Sequence, residues 1–231
     1  MPDYFQKAIN ATFCANPVKL QRLIDEGHFY ERLLEDTGLL SKPFPIWRIP
    51  QCWEEAMGEV KDWSPKYREA AQEFLGRVHQ IKAIYQKAFG IEFGDMDYHR
   101  YIEDFGGYED DDTIADVLGL DTEEEAYAGG ISKLDVELFC SGNKYDYPRV
   151  KELLLQGANP SVQMNGDHES LYSWLAFWSG DYWMYLRNVW DEDSFDPVTD
   201  DDVRNLAKVA ALEKMYKILK EHSSYPEPVY D

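Results

Sequence analysis

Apolar residues in this chain recur at steps of three and four, the spacing of one face of an α-helix, and no segment alternates with the period of two that a strand requires. The longest stripe runs Tyr67, Ala70, Ala71, Phe74, Val78, Ile81, Ile84, Tyr85 and Ala88. Ser64 and Pro65 precede it as a cap and a first-turn proline, and Gly90 follows it as a stop, so one long helix is predicted to Ala88. Shorter stripes occur at Val150, Leu153 and Leu154 and at Leu171, Trp174, Leu175 and Trp178. Thr199 with Asp202 opens a final helix over 200–222. The pattern predicts an all-α fold with helix pairs at 4–27 and 132–156.

Two segments carry hairpin punctuation. Ser132 caps a short helix, with Asp135 three residues on to close a capping box. Ser141 and Gly142 are small enough to admit a neighbouring helix. Asp146 caps a second helix with Pro148 in its first turn, and Gly157 ends it in a left-handed turn. Near the start, Asn16-Pro17-Val18-Lys19-Leu20-Gln21-Arg22-Leu23-Ile24-Asp25-Glu26-Gly27 has the same helix-two stripe and terminating glycine. Pro43-Phe44-Pro45-Ile46 reads as the next helix start, and Met215–His222 is a third, weaker echo.

This order of residues resembles an ankyrin repeat. Ser141-Gly142 match the small pair, Tyr145-Asp146 the turn with Tyr in place of Gly, Val150-Lys151-Glu152-Leu153-Leu154 the second helix, and Gly157-Ala158-Asn159-Pro160 the closing loop. Glu169-Ser170-Leu171-Tyr172 stands where the next Thr-Pro-Leu-His start belongs, and Leu138 and Leu171 are separated by the repeat's 33 residues. The resemblance covers roughly 4–50 and 132–180. Two such units do not make a stable free array, so the rest of the chain must supply their neighbours. The family binds partners through turn tips and inner helix faces, which implies contact residues at Asn165, Asp167, His168, Glu169 and Tyr172.

The chain divides on this reading into an N-terminal helix pair (1–52), a helical insertion with an acidic loop (53–131), and a repeat with an aromatic-rich helical cap (132–231). Within the insertion, short helices are expected at Thr113–Leu118 and after Thr122. Bulky Trp174-Leu175 replace a small pair and mark a terminal cap. Tyr172, Tyr182 and Trp183 need not share the packed face and are candidate interface anchors. The tail from Tyr225 is expected to be extended and frayed.

Composition narrows the function. Lys and Arg number 23 against 44 Asp and Glu, a net charge of −21 that repels nucleic acid and anionic lipid and attracts a basic protein. Asp191, Glu192 and Asp193 lie beside the aromatic segment and add an acidic rim. No run reaches the ~18 apolar residues of a membrane helix. Met1-Pro2-Asp3-Tyr4 opens no signal peptide, and Cys14, Cys52 and Cys140 fit reduced thiols buried in a cytoplasmic protein. Asp95, Asp97, His99 and Glu103 form the one enzyme-like cluster, but no ligand pair has a recognised metal spacing and the calcium-loop glycine is missing. It reads as a solvated helix start. Neither a phosphate loop nor a nucleophile elbow occurs. The expectation is a non-enzymatic module with no cofactor that binds a basic protein. Its acidity and size resemble immunity proteins that neutralise basic toxins. A metal-dependent or carboxylate hydrolase within the insertion and a structural scaffold are the alternatives.

Overall fold

The structure, a computed structural model, describes residues 4–29, 32–35, 38, 40, 42–58, 64–102, 131–164, 170–186 and 197–228. Among these residues it is all helical and has no strand. The helices are α1 (Tyr4–Phe13), α2 (Pro17–Asp25), α3 (Arg32–Glu35), α4 (Ile49–Ala56), α5 (Pro65–Phe89), α6 (Lys133–Asn143), α7 (Tyr147–Leu155), α8 (Leu171–Leu186) and α9 (Asp200–His222). 3-10 turns lie at Ile46–Arg48 and Tyr98–Arg100.

Caps set most of these starts. Ser132 Oγ accepts from the Asp135 amide at 3.2 Å, and Asp135 Oδ2 accepts in return from the Ser132 amide at 3.0 Å. The other Asp135 oxygen accepts from the Asn159 amide at 2.6 Å, so one buried carboxylate ties the start of α6 to the loop after α7. Asp146 and Asn16 cap α7 and α2 through the amides of Arg149 and Lys19. Thr199 and Asp202 exchange the same pair of bonds at α9. Ser64 precedes α5 but makes no capping bond; Pro65, whose fixed φ suits the first turn, starts that helix. Gly90 ends it at φ 66°.

The predicted helix pairs are present as α1–α2 and α6–α7; at an offset of 130 positions the ends of α1 and α6, both ends of α2 and α7, and Gly27 and Gly157 coincide, while α6 starts one residue earlier than α1. Asn16 donates its amide to the Ala11 carbonyl at 2.8 Å, and Asp146 to that of Ser141 at 3.0 Å. His28 and Ala158 close their loops on the carbonyls of Leu23 and Leu153 at 2.9 and 3.0 Å. Ala15 and Tyr145 both stand in the left-handed region, at φ 47° and 54°. A side chain there costs about 1 kcal/mol or more. Tyr145 offsets the strain by burying its ring against Tyr147 and Trp174.

The helices form two compact units. The first comprises Met1–Glu103 with Asp181–Glu213. Here α1 packs on α2 and α4, and α5 on α2 and α4. Ile9, Phe13, Leu20, Ile49, Trp53 and Tyr85 are wholly buried in it. Thr12 and Tyr85 share a hydroxyl–hydroxyl bond of 2.7 Å inside this core. The entry to α9 is held when Asn10 accepts from the Val198 amide and Gln6 donates to the Val198 carbonyl. The second unit comprises Asp104–Gly180 with Lys214–Asp231, so the units cut across the three segments read from the sequence. Its described core holds the α6–α7 hairpin, Leu171, Trp174 and Leu175 of α8, and Met215, Ile218 and Leu219 of α9.

Several expectations are corrected. The buried stripe of α5 is Ala71, Phe74, Val78, Ile81 and Tyr85; Tyr67 is half exposed, and Ala70 and Ala88 face water. The helix expected from Pro43–Ile46 begins at Ile49, after a 3-10 turn. Met215–His222 lies within α9, as the helix expected over 200–222 requires, and from Leu206 to Leu212 only Lys208 is not buried. The tail is pinned, not frayed. Ser161 Oγ donates to the Pro226 carbonyl at 2.9 Å, Tyr216 donates to Glu227, and Lys220 Nζ pairs with Glu227 at 3.1 Å. Cys52 is buried, whereas Cys14 and Cys140 are half-buried; all three are free thiols. Thr113–Leu118 and Thr122 lie outside the described residues.

Two tests follow from these contacts. A Cβ on Gly142 would sit 2.6 Å from Leu171 Cδ1 and 3.3 Å from its Cγ, and Leu171 is buried. Overpacking of ~1–3 kcal/mol outweighs the ~0.5–1 kcal/mol that alanine gains over glycine within a helix. Gly142→Ala should therefore lower the melting temperature by a few degrees, while in a Leu171→Ala background the same change should be neutral or stabilising. A rise in the parent would show that α8 does not approach α6 this closely. The second test concerns Glu227. Its burial works to raise its pKa, but hydrogen bonds from Tyr216 and Lys220 outweigh that and hold it below the usual carboxylate value. A depressed carboxylate stabilises the fold above its unfolded pKa and loses that contribution as the pH falls through the folded one. The difference in melting temperature between the parent and Glu227→Gln should be largest near neutral pH and vanish in acid.

Candidate functional site

The residues expected to contact a partner are distributed unevenly. Asn165, Asp167, His168 and Glu169 and the acidic trio Asp191, Glu192 and Asp193 lie outside the described residues. Three aromatic anchors can be placed, all on α8. Tyr172 is a correction: it is 2% exposed, its ring edge-on to Tyr216 at 5.8 Å, and burial pushes its hydroxyl pKa up. A ring so enclosed offers no surface to a partner. Tyr182 is half-buried, with Lys208 Nζ 5.0 Å above its ring and 3.4 Å from its hydroxyl. Trp183 is half-buried and leans on Trp53 at 6.3 Å, which ties it to the core of the first unit.

Leu171, Trp174 and Leu175 are buried as the helical stripe requires. The opposite side of α8 carries Ala176, Phe177 and Gly180, all exposed. Phe177 is 63% exposed and meets Trp178 edge to face at 5.5 Å. It is not among the candidate anchors read from the sequence, although a helical wheel places position 177 away from the 171/174/175/178 face. Leu155, at the end of α7, is a second exposed apolar side chain, 79% open.

Of the enzyme-like cluster, Asp95 and Asp97 lie among the described residues. Asp95 accepts from its neighbour's amide, Met96, at 3.1 Å, and Asp97 precedes the Tyr98–Arg100 turn without capping it. Glu103 and the His99 side chain lie outside the described residues. Among the described residues, no group of three or more His, Cys, Asp or Glu side chains could hold a metal. The best-organised ionisable cluster is elsewhere. Glu54 on α4 takes Lys82 on one oxygen and His79 Nε2 on the other at 3.2 Å, both from α5, and Lys82 also lies 4.6 Å above Phe93. This set clamps α4 to α5. Burial pushes the Cys52 thiol far above its ordinary pKa, so it stays protonated and unreactive. No helix among the described residues is long and apolar enough to cross a membrane.

Comparison with protein-family models, with characterised proteins and with solved structures finds no match for the chain. What the protein does must be argued from its surface.

If Trp183 is core more than anchor, Trp183→Ala should destabilise by roughly 2 kcal/mol, half the usual cost for a fully buried indole. That corresponds to a melting shift of roughly 4–8 °C for a chain of this size. An unchanged melting temperature in a thermal scan would return Trp183 to the surface.

Proposed function

We propose that the protein is a cytoplasmic, non-enzymatic interaction module, built on ankyrin-like helix hairpins, that binds a basic protein partner. The observation that carries this reading is Phe177: a large ring, 63% exposed on a rigid helix and braced by Trp178, in a chain of net charge −21. Buried aromatic anchors dominate binding energy, and complementary charge speeds encounter. The ankyrin likeness draws support from two hairpins of matching geometry. It also draws on the close approach of Gly142 and Leu171, the places a repeat gives to its small pair and to the next helix start. The three free cysteines suit a reducing compartment. Asp191, Glu192 and Asp193 supply steering, and Asn165, Asp167, His168 and Glu169 supply polar contacts. An immunity protein that neutralises a basic toxin would have this character.

The test is affinity capture from the native cells, followed by binding kinetics with the purified partner. The partner should be basic, and association should slow at least ~10-fold between about 50 and 300 mM salt as screening shortens the field. Phe177→Ala should raise the dissociation rate about 10-fold or more with little change in association. Replacing Asp191, Glu192 and Asp193 with their amides should do the reverse. An acidic partner, or rates indifferent to salt, would sink the electrostatic half. Unchanged dissociation of Phe177→Ala would remove that ring as the anchor.

A further inference from the structure

The two hairpins act as controls for one another, and their matched positions differ in charge. On α6–α7, Glu137, Arg149 and Glu152 form an alternating triad. Arg149 Nε donates to Glu137 at 2.8 Å, and its other nitrogens reach Glu137 and Glu152. Shifting by 130 positions gives Lys7, Lys19 and Arg22 on α1–α2. The central cation is kept, and both flanking carboxylates have become cations. These three side chains line one cavity of about 340 Å³ between α1 and α2, with Ala11 and Leu23 on its apolar wall. Lys7 also approaches the Tyr4 ring, 5.2 Å from its centre, but none of the three pairs with a carboxylate among the described residues. The same backbone thus holds an ion-paired triad in one copy and three like charges around an open space in the other.

We propose that this cavity binds a soluble, phosphate-bearing small molecule, with a phosphoryl group among Lys7, Lys19 and Arg22. Charge count selects the ligand. Three cations around one space repel one another and call for two or more negative charges, which a monocarboxylate lacks and a phosphate ester supplies. The neutral polar lining agrees. Asn10 Oδ1 already accepts two bonds, from Gln6 and Val198, so that side chain has only N–H donors left to offer, and Asn16 Oδ1 already accepts one from the Lys19 amide while its N–H donors remain. The volume lies at the lower end of the small-ligand range. The net charge of −21 opposes anions at long range, but screening confines that field to ~10 Å at 0.1 M salt, and the local cations decide inside it. The site is independent of the protein-partner reading.

The experiment is calorimetric titration of the full chain with inorganic pyrophosphate at low salt and neutral pH, with acetate for comparison. One saturable site per chain is expected for pyrophosphate and none for acetate. Lys19→Gln, a single exposed change, should weaken binding about 10-fold. Lys7→Glu combined with Arg22→Glu, which imposes the charge order of Glu137, Arg149 and Glu152, should abolish binding while the melting temperature holds or rises. If the double variant fails to fold, Lys19→Gln alone decides. No saturable uptake up to about 10 mM pyrophosphate, or equal heats in parent and variants, overturns the proposal. Cosedimentation with phosphatidic acid vesicles that the variants lose would place the phosphate on a lipid and overturn the small-molecule assignment.

Discussion

An indole leaves water cheaply only where its N–H finds an acceptor, and a helix ends cheaply only where its last carbonyls find donors. In the first unit these two needs meet at one bond. Phe13 is the last residue of α1, so its carbonyl is among those left without an amide partner inside the helix. Trp53 Nε1 donates to it instead, at 2.8 Å, and Trp53 is wholly buried. The rings of Phe13, Phe74 and Trp183 surround the indole at 5.0–6.3 Å. The end of α1 thus supplies the acceptor that ties α4 to α1, and the rings of Phe74 and Trp183 pack on the result.

The two hairpins show how much of such a unit backbone geometry decides and how little of its chemistry. Turn hydrogen bonds, N-caps, left-handed residues and terminal glycines coincide at a constant offset. The charged triads do not: one alternates in sign and closes on itself, the other is uniformly cationic. Nothing in the shared turn geometry requires either pattern.

What could be read from the sequence was local. Ser132 with Asp135, Asp146, and Thr199 with Asp202 cap helices because their partners lie three residues away, within reach of a pattern. Tyr172 was misread because its exposure depends on Tyr216, far along the chain and on another helix. The tail was misread for the same reason, since Ser161 holds it from 65 positions away. Phe177 stood in plain view on the helical wheel, but the density of rings around it drew attention to Tyr172, Tyr182 and Trp183. The cationic cavity emerges only when the two hairpins are laid on each other, because each residue alone is an ordinary surface cation.

The division of the chain between the two units has a consequence for synthesis on the ribosome. The first unit is completed by Asp181–Glu213, which follow Glu103 only after the whole of the second unit's leading segment, Asp104–Gly180, has been made. At ~5–20 residues per second, some 80 intervening residues take ~4–16 s. During that interval the nascent chain holds α1, α4 and α5 without the aromatic and α9 residues that finish their core. Apolar surface of the first unit's core stays uncovered for that time. The acidic composition, with its net charge of −21, sets repulsion between such chains against that exposure.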